Sequence, residues 1–202
     1  MVALMALAGL VCGHRIRALA DVYERALTPG HPPAFVRTPP WPPAVELAAA
    51  AVTALTAWRM GLPYVPFAVI GVALAVVDWR TTILPDAITL PAYPITALAL
   101  WPTGELPRAL AGGAALAALY GLLWFARPEA MGLGDVKLAG LIGLAAASAG
   151  WQQWVVAAFA GQVLGALHGL ALLATGRGTR HTQFPFGPFM LMGAFAVLCL
   201  TG

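Results

Sequence analysis

The chain has 202 residues, of which 60% are hydrophobic and only 9% charged, and its mean hydropathy is +0.82. Soluble domains carry about 25% charged residues, so this composition excludes a soluble globular protein and marks a polytopic membrane protein whose first partner is the lipid bilayer. The formal net charge of +3 follows from loop bias, described below, and calls for no nucleic-acid partner.

A spanning helix needs about 20 mostly apolar residues, and candidate spans lie near 1–13, 44–58, 62–78, 83–101, 107–126, 133–150, 152–174 and 186–201. The expected fold is all-α, a membrane helix bundle of about eight transmembrane helices. Residues 1–13 read as a retained span. They have no basic start and no small-x-small cleavage site, and basic residues come only after the apolar run. Thirteen residues reach about 20 Å as a helix, so this span extends into Ile16–Ala20, thins the bilayer, or is truncated by a wrong start.

Residues 14–43 differ in kind. Arg15, Arg17, Asp21, Glu24, Arg25 and Arg37 are followed by Thr38-Pro39-Pro40-Trp41-Pro42-Pro43, which reads as a short helix and an extended linker. The expected organisation is therefore an N-terminal span plus linker over 1–43 and a helix bundle over 44–202. Only a few polar, Pro or Gly residues separate the later spans, so these are antiparallel neighbours.

Basic residues are retained on the cytoplasmic side of short loops. With the N-terminus outside, Arg15, Arg17, Arg25, Arg37, Arg80, Arg127, Lys137, Arg177 and Arg180 fall inside, and only Arg59 and Arg108 outside. This asymmetry puts the end of the third span and the start of the sixth on one face. Cys12 and Cys199 fall at opposite ends and read as small apolar packers. With His14, His31, His168 and His181 scattered, no zinc-ligand spacing exists, and no metal or cofactor is expected. Glu46, opening the second span, reads as interfacial, and His168 as a hydrogen-bonded packing residue.

Two acids remain at the edges of spans, Asp78 in Val77-Asp78-Trp79-Arg80 and Asp135 in Gly132-Leu133-Gly134-Asp135-Val136-Lys137. A carboxylate in the bilayer is costly, so it is a functional-site hypothesis by default. Two carboxyl groups held close share a proton, and one acts as base toward water while the other donates a proton. Gly132 and Gly134 permit positive φ and close backbone approach, which suits an irregular turn aiming Asp135. The plain alternative is a loop in which Asp135 caps the next helix.

Asp78 to Pro91, Gly132 to Lys137 and Pro185-Phe186-Gly187-Pro188-Phe189, in this order and spacing, resemble the three signature blocks of the type IV prepilin peptidases, membrane aspartyl proteases of the Gly-x-Gly-Asp type. The resemblance runs from about residue 44 to the C-terminus. It implies cleavage of the short basic leader from type IV prepilins or pseudopilins at the cytoplasmic face of the inner membrane, in pilus assembly or protein secretion. It also implies that Asp78 and Asp135 are the catalytic pair.

Asp86 is a motif residue whose plainer role is to start the fourth span, complementing the helix dipole. Lys137 either tunes a carboxylate or holds a substrate carbonyl, or else anchors to headgroups; Arg80 reads as an anchor. Pro185 and Gly187 carry no titratable group, so a shaping role is expected of them. The segment 14–43 lacks the paired Cys-x-x-Cys motifs of the family's longer members, so peptidase activity without N-methyltransferase activity is expected. The alternative of another class is a transporter or channel using Asp78 and Asp135 for cations or protons, but the chain has no convincing internal repeat.

Overall fold

The computed structural model describes residues 1–27, 43–129, 131–177 and 184–201. Arg37, Arg180, His31, His181 and the Pro-rich run at 38–42 lie outside the described residues. Among the described residues there are eight α-helices and no strand: α1 Val2–Leu27, α2 Ala44–Arg59, α3 Val65–Thr81, α4 Asp86–Leu100, α5 Leu106–Ala126, α6 Leu133–Ala149, α7 Trp151–Ala174 and α8 Gly187–Thr201. Four segments are long and apolar enough to cross a bilayer, Val2–Leu27, Leu62–Thr81, Leu106–Ala126 and Trp151–Ala174. The other helices have 15 to 17 residues. The chain is a multi-pass helical membrane protein.

The first expected span is corrected. Residues 1–13 do not end a helix; α1 runs on unbroken for 26 residues. No proline interrupts His14–Leu27, and its Arg, Ala, Leu and Glu residues favour helix. Ile16 and Ala20 bury one face of that second half, with Ile16 packed in a cluster that includes Val45 and Val72. Gly9 and Gly13 let α1 lie directly on the α2 backbone, since a Cβ at Gly13 would stand 2.5 Å from the Glu46 Cα.

The bundle is organised around α6, which is buried on every face from Leu138 to Ser148, as a helix that is apolar all round should be. α5, α7, α4 and α8 pack around it, while α3 joins α8 and α4 to α1 and α2. A Cβ at Gly143 would stand 2.5 Å from the Gly112 carbonyl oxygen and 2.8 Å from the Leu116 Cβ. Small residues at such seams let membrane helices approach closely. Gly143→Val is therefore expected to lower the melting temperature of detergent-solubilised protein by about 10 °C, the equivalent of roughly 3 kcal/mol of overpacking. An unchanged melt would contradict this seam.

Large apolar side chains face outward, among them Leu7 and Val11 on α1, Leu122 and Phe125 on α5, and Phe159 and Leu167 on α7, where lipid tails meet them.

The two ends of the bundle are held differently. At the near end, which carries the second half of α1, the close of α3 and the starts of α2, α4, α6 and α8, the links are ion pairs. Arg17 pairs with Glu46, Arg80 with Asp21 and Glu24, and Lys137 with Asp86. At the far end, cations cap the closing carbonyls of helices. Arg59 Nε donates to the Cys199 carbonyl at 2.9 Å, and Arg108 donates to those of Ala147 and Ser148 at 2.6 and 2.7 Å. Ser148 Oγ donates to the Tyr64 hydroxyl there at 2.9 Å.

Candidate functional site

Three chain breaks converge at the near end. The first follows α3, whose last turns carry Asp78, 4% exposed. Thr82 stops the helix in the left-handed region at φ 53°, its N–H donating to the Asp78 carbonyl at 2.7 Å. Leu84 precedes Pro85, and a residue before proline is pushed toward extended backbone. α4 then begins at Asp86, the expected helix start.

The second break opens α6. Gly132 is the N-cap at φ −75° and ψ 149°, and Gly134 is already helical, so neither glycine adopts positive φ; that expectation is corrected. Close approach is what Gly134 provides, because a Cβ there would stand 2.9 Å from the Leu84 Cβ. Asp135 lies in the first turn of α6 and is not its cap residue. Its N–H donates to the Gly132 carbonyl at 3.1 Å.

The third break opens α8, and here the sequence reading missed a contact. Pro185 and Phe186 lead into α8 outside regular structure, and the Gly187 N–H donates to Asp78 Oδ2 at 3.0 Å. The Pro185–Gly187 block does more than shape a wall, because its backbone amide holds an acid. Only an exposed backbone allows it: a Cβ at Gly187 would stand 2.8 Å from Asp78 Oδ2.

Asp78 and Asp135, from α3 and α6, lie close enough for one carboxylate to feel the charge of the other. The remaining motif residues surround them without joining them. Arg80, with its side chain 6% exposed, turns to Asp21 and Glu24 on α1. Lys137 Nζ meets Asp86 Oδ1 at 2.5 Å. Arg80 is thus buried in an ion cluster and does not act as a simple anchor.

Glu46 is likewise buried at 9% exposure against Arg17, with His14 4.0 Å away, and is not merely interfacial. The His168 ring packs on Phe184 and Phe189. A further polar group escaped the sequence reading. The Tyr120 hydroxyl, buried on α5, lies within electrostatic reach of Asp135, donates to the Ala158 carbonyl and accepts from Gln162 on α7. A lone tyrosine among leucines carries no motif to announce it.

Comparison with known proteins bears on what this site does. The family model described as the type IV leader peptidase family matches residues 65–170, a stretch containing Asp78, Asp86, Asp135 and Lys137. A prepilin leader peptidase/N-methyltransferase of Pseudomonas putida is 33% identical over 205 residues, covering 93% of this chain and 69% of its own length. A protein of the same name from Burkholderia pseudomallei (strain 1026b) is 32% identical over 168 residues, covering 77% of this chain and 53% of its own. One from Bacillus subtilis (strain 168) is 29% identical over 159 residues, covering 75% and 63%. The chain thus spans about half to two thirds of the length of these relatives. No solved structure matches it. The family model covers more than half of the chain, the P. putida likeness runs over nearly all of it, and the three sequence blocks meet at one end of the bundle: this chain belongs to the type IV leader peptidase family.

Proposed function

We propose that this chain is an aspartic endopeptidase of the inner membrane that removes the basic leader from type IV prepilins or pseudopilins, with Asp78 and Asp135 as its catalytic pair. The observation that carries this reading is that a buried acid, Asp78, and a partly buried one, Asp135, from separate helices lie within electrostatic reach of each other at the end where the Gly187 amide also arrives. Membership of a peptidase family tells against a transporter using the same acids.

The chemistry needs no covalent intermediate. An ionised Asp takes a proton from water as the water oxygen bonds to the scissile carbonyl carbon, while the protonated partner donates to the carbonyl oxygen. Collapse of the tetrahedral intermediate breaks the C–N bond, and the amine leaves with a proton. The Gly187 amide orients the Asp78 carboxylate for this exchange.

The substrate's apolar segment lies in the bilayer beside the bundle, and its basic leader emerges at the face that gathers the cations Arg15, Arg25, Arg127 and Arg177, read as cytoplasmic by the positive-inside rule. A peptide bond inside a helix has its carbonyl engaged, so the substrate unwinds at the site, which a glycine before the scissile bond makes easier. Peptidase activity alone is proposed. The relatives' names join it to N-methyltransferase activity, but Cys12 and Cys199 are this chain's only cysteines, so residues 14–43 hold no Cys-x-x-Cys pair.

The test is co-expression with a prepilin, followed by a gel shift of the membrane fraction. Leader loss that depends on this chain supports the reading, and an intact leader beside well-expressed protein refutes it.

A further inference from the structure

Each acid of the pair is followed two residues on by a cation, Asp78 by Arg80 and Asp135 by Lys137. Residues two apart on an α-helix lie about 200° apart around its axis and do not face each other. Each cation therefore points away from the acid it follows, and each is caught by acids on another helix. Arg80 meets Asp21 and Glu24 of α1, and Lys137 meets Asp86, the first residue of α4.

The Lys137 contact is part of a seam. Within the opening turns of α6, Gly134 abuts Leu84, Lys137 Nζ holds Asp86 at 2.5 Å, and the Lys137 carbonyl accepts the Tyr93 hydroxyl at 2.6 Å. A steric contact, an ion pair and a hydrogen bond together fix the depth and rotation of α6 against α4. Leu84 and Asp86 belong to the same α3–α4 connection that leads away from Asp78. The seam consequently locates Asp135 relative to the chain segment that bears its partner.

We propose that Lys137 is a positioning residue. With Asp86 as its counter-charge it sets the rotation of α6, and so the aim of the Asp135 carboxylate at Asp78, and it touches neither substrate nor reacting atoms. The proposal rests on the peptidase reading above. An ion pair as exposed as this one contributes little to global stability. Its effect is concentrated in catalysis, where displacing a reacting group by about 1 Å costs about 10²-fold.

The experiment compares Lys137→Asp, Asp86→Lys, the double exchange and Lys137→Arg in the full chain, using leader removal in membranes and melting in detergent. Each charge reversal is expected to lower kcat/KM about 30-fold, through kcat with KM little changed. The exchange should recover to within about fivefold of wild type, Lys137→Arg should stay near wild type, and the pH profile of the active variants should not move. An exchange as poor as the single reversals, or a shifted pH profile in Lys137→Arg, overturns the proposal and gives Lys137 a direct part in substrate or proton handling. Should the wild type cleave nothing, the peptidase reading falls separately. The melting cycle then bears on the pair: single reversals that melt like wild type, or lose stability that the exchange restores, support it, and strictly additive losses overturn it.

Discussion

Replacing either Asp78 or Asp135 by Asn is expected to lower leader removal by roughly 10³-fold or more, as loss of one member of a catalytic unit does elsewhere. Asn has nearly the same size as Asp and keeps an oxygen that accepts hydrogen bonds. The amide oxygen of Asp78→Asn still accepts from the Gly187 N–H, and Asp135→Asn keeps the place of the side chain in the first turn of α6. Both variants should therefore accumulate at normal levels, and the loss will be chemical. The readout is the gel shift of a co-expressed prepilin, with membrane content of each variant measured alongside. Asp86→Asn is the informative comparison. It breaks the pairing with Lys137 but leaves both acids, so a loss of about tenfold is expected. Near-normal cleavage by Asp78→Asn or Asp135→Asn would refute the two-acid mechanism.

Gly187→Ala should also be costly, with kcat/KM falling about 10²-fold at normal protein levels. The added methyl would stand 2.8 Å from Asp78 Oδ2 and 3.2 Å from Leu138 Cδ2. Both neighbours are buried, Asp78 at 4% and Leu138 at 0% exposure, so neither has free space to retreat into. Either the carboxylate turns away or the α8 entrance backs off and lengthens the amide contact. The control is Gly121→Ala on α5, where the nearest atom is the Val136 Cγ1 at 3.8 Å and Ala improves helix propensity. That variant should cleave like wild type. Equal activity of the two alanine variants would mean that the Gly187 contact does not orient Asp78.

Much of the architecture was legible because lipid imposes a simple rule: apolar runs become helices, and Pro, Gly and charge mark their ends. The expected spans at 44–58, 107–126, 133–150 and 152–174 match α2, α5, α6 and α7 to within a residue. The run 62–78 was displaced because Leu62–Tyr64 forms a tight 3-10 turn and α3 continues to Thr81. α1 was misjudged because hydropathy reports where lipid ends and not where a helix ends; its polar half is held by packing of Ile16 and Ala20. At the site, the residues with chemical side chains were readable. Of those acting through backbone, Gly134 was read for close approach and supplies it against Leu84, whereas the Gly187 amide went unread because a main-chain donor leaves no trace in composition. The direction of Lys137 was readable in principle, since its two-residue spacing from Asp135 already turns it away from that acid.

The unequal fastening of the two ends has a mechanical consequence. Cations seated on backbone carbonyls at the far end hold groups that have no partner within their own helix once it has ended. At the near end, among the described residues, only the Lys137–Asp86 pair is exposed enough to part and be hydrated at little cost, whereas the buried Arg80 and Glu46 pairs are costly to break. The part of the near end fastened least firmly is thus the seam between α4 and α6, the helix that bears Asp135.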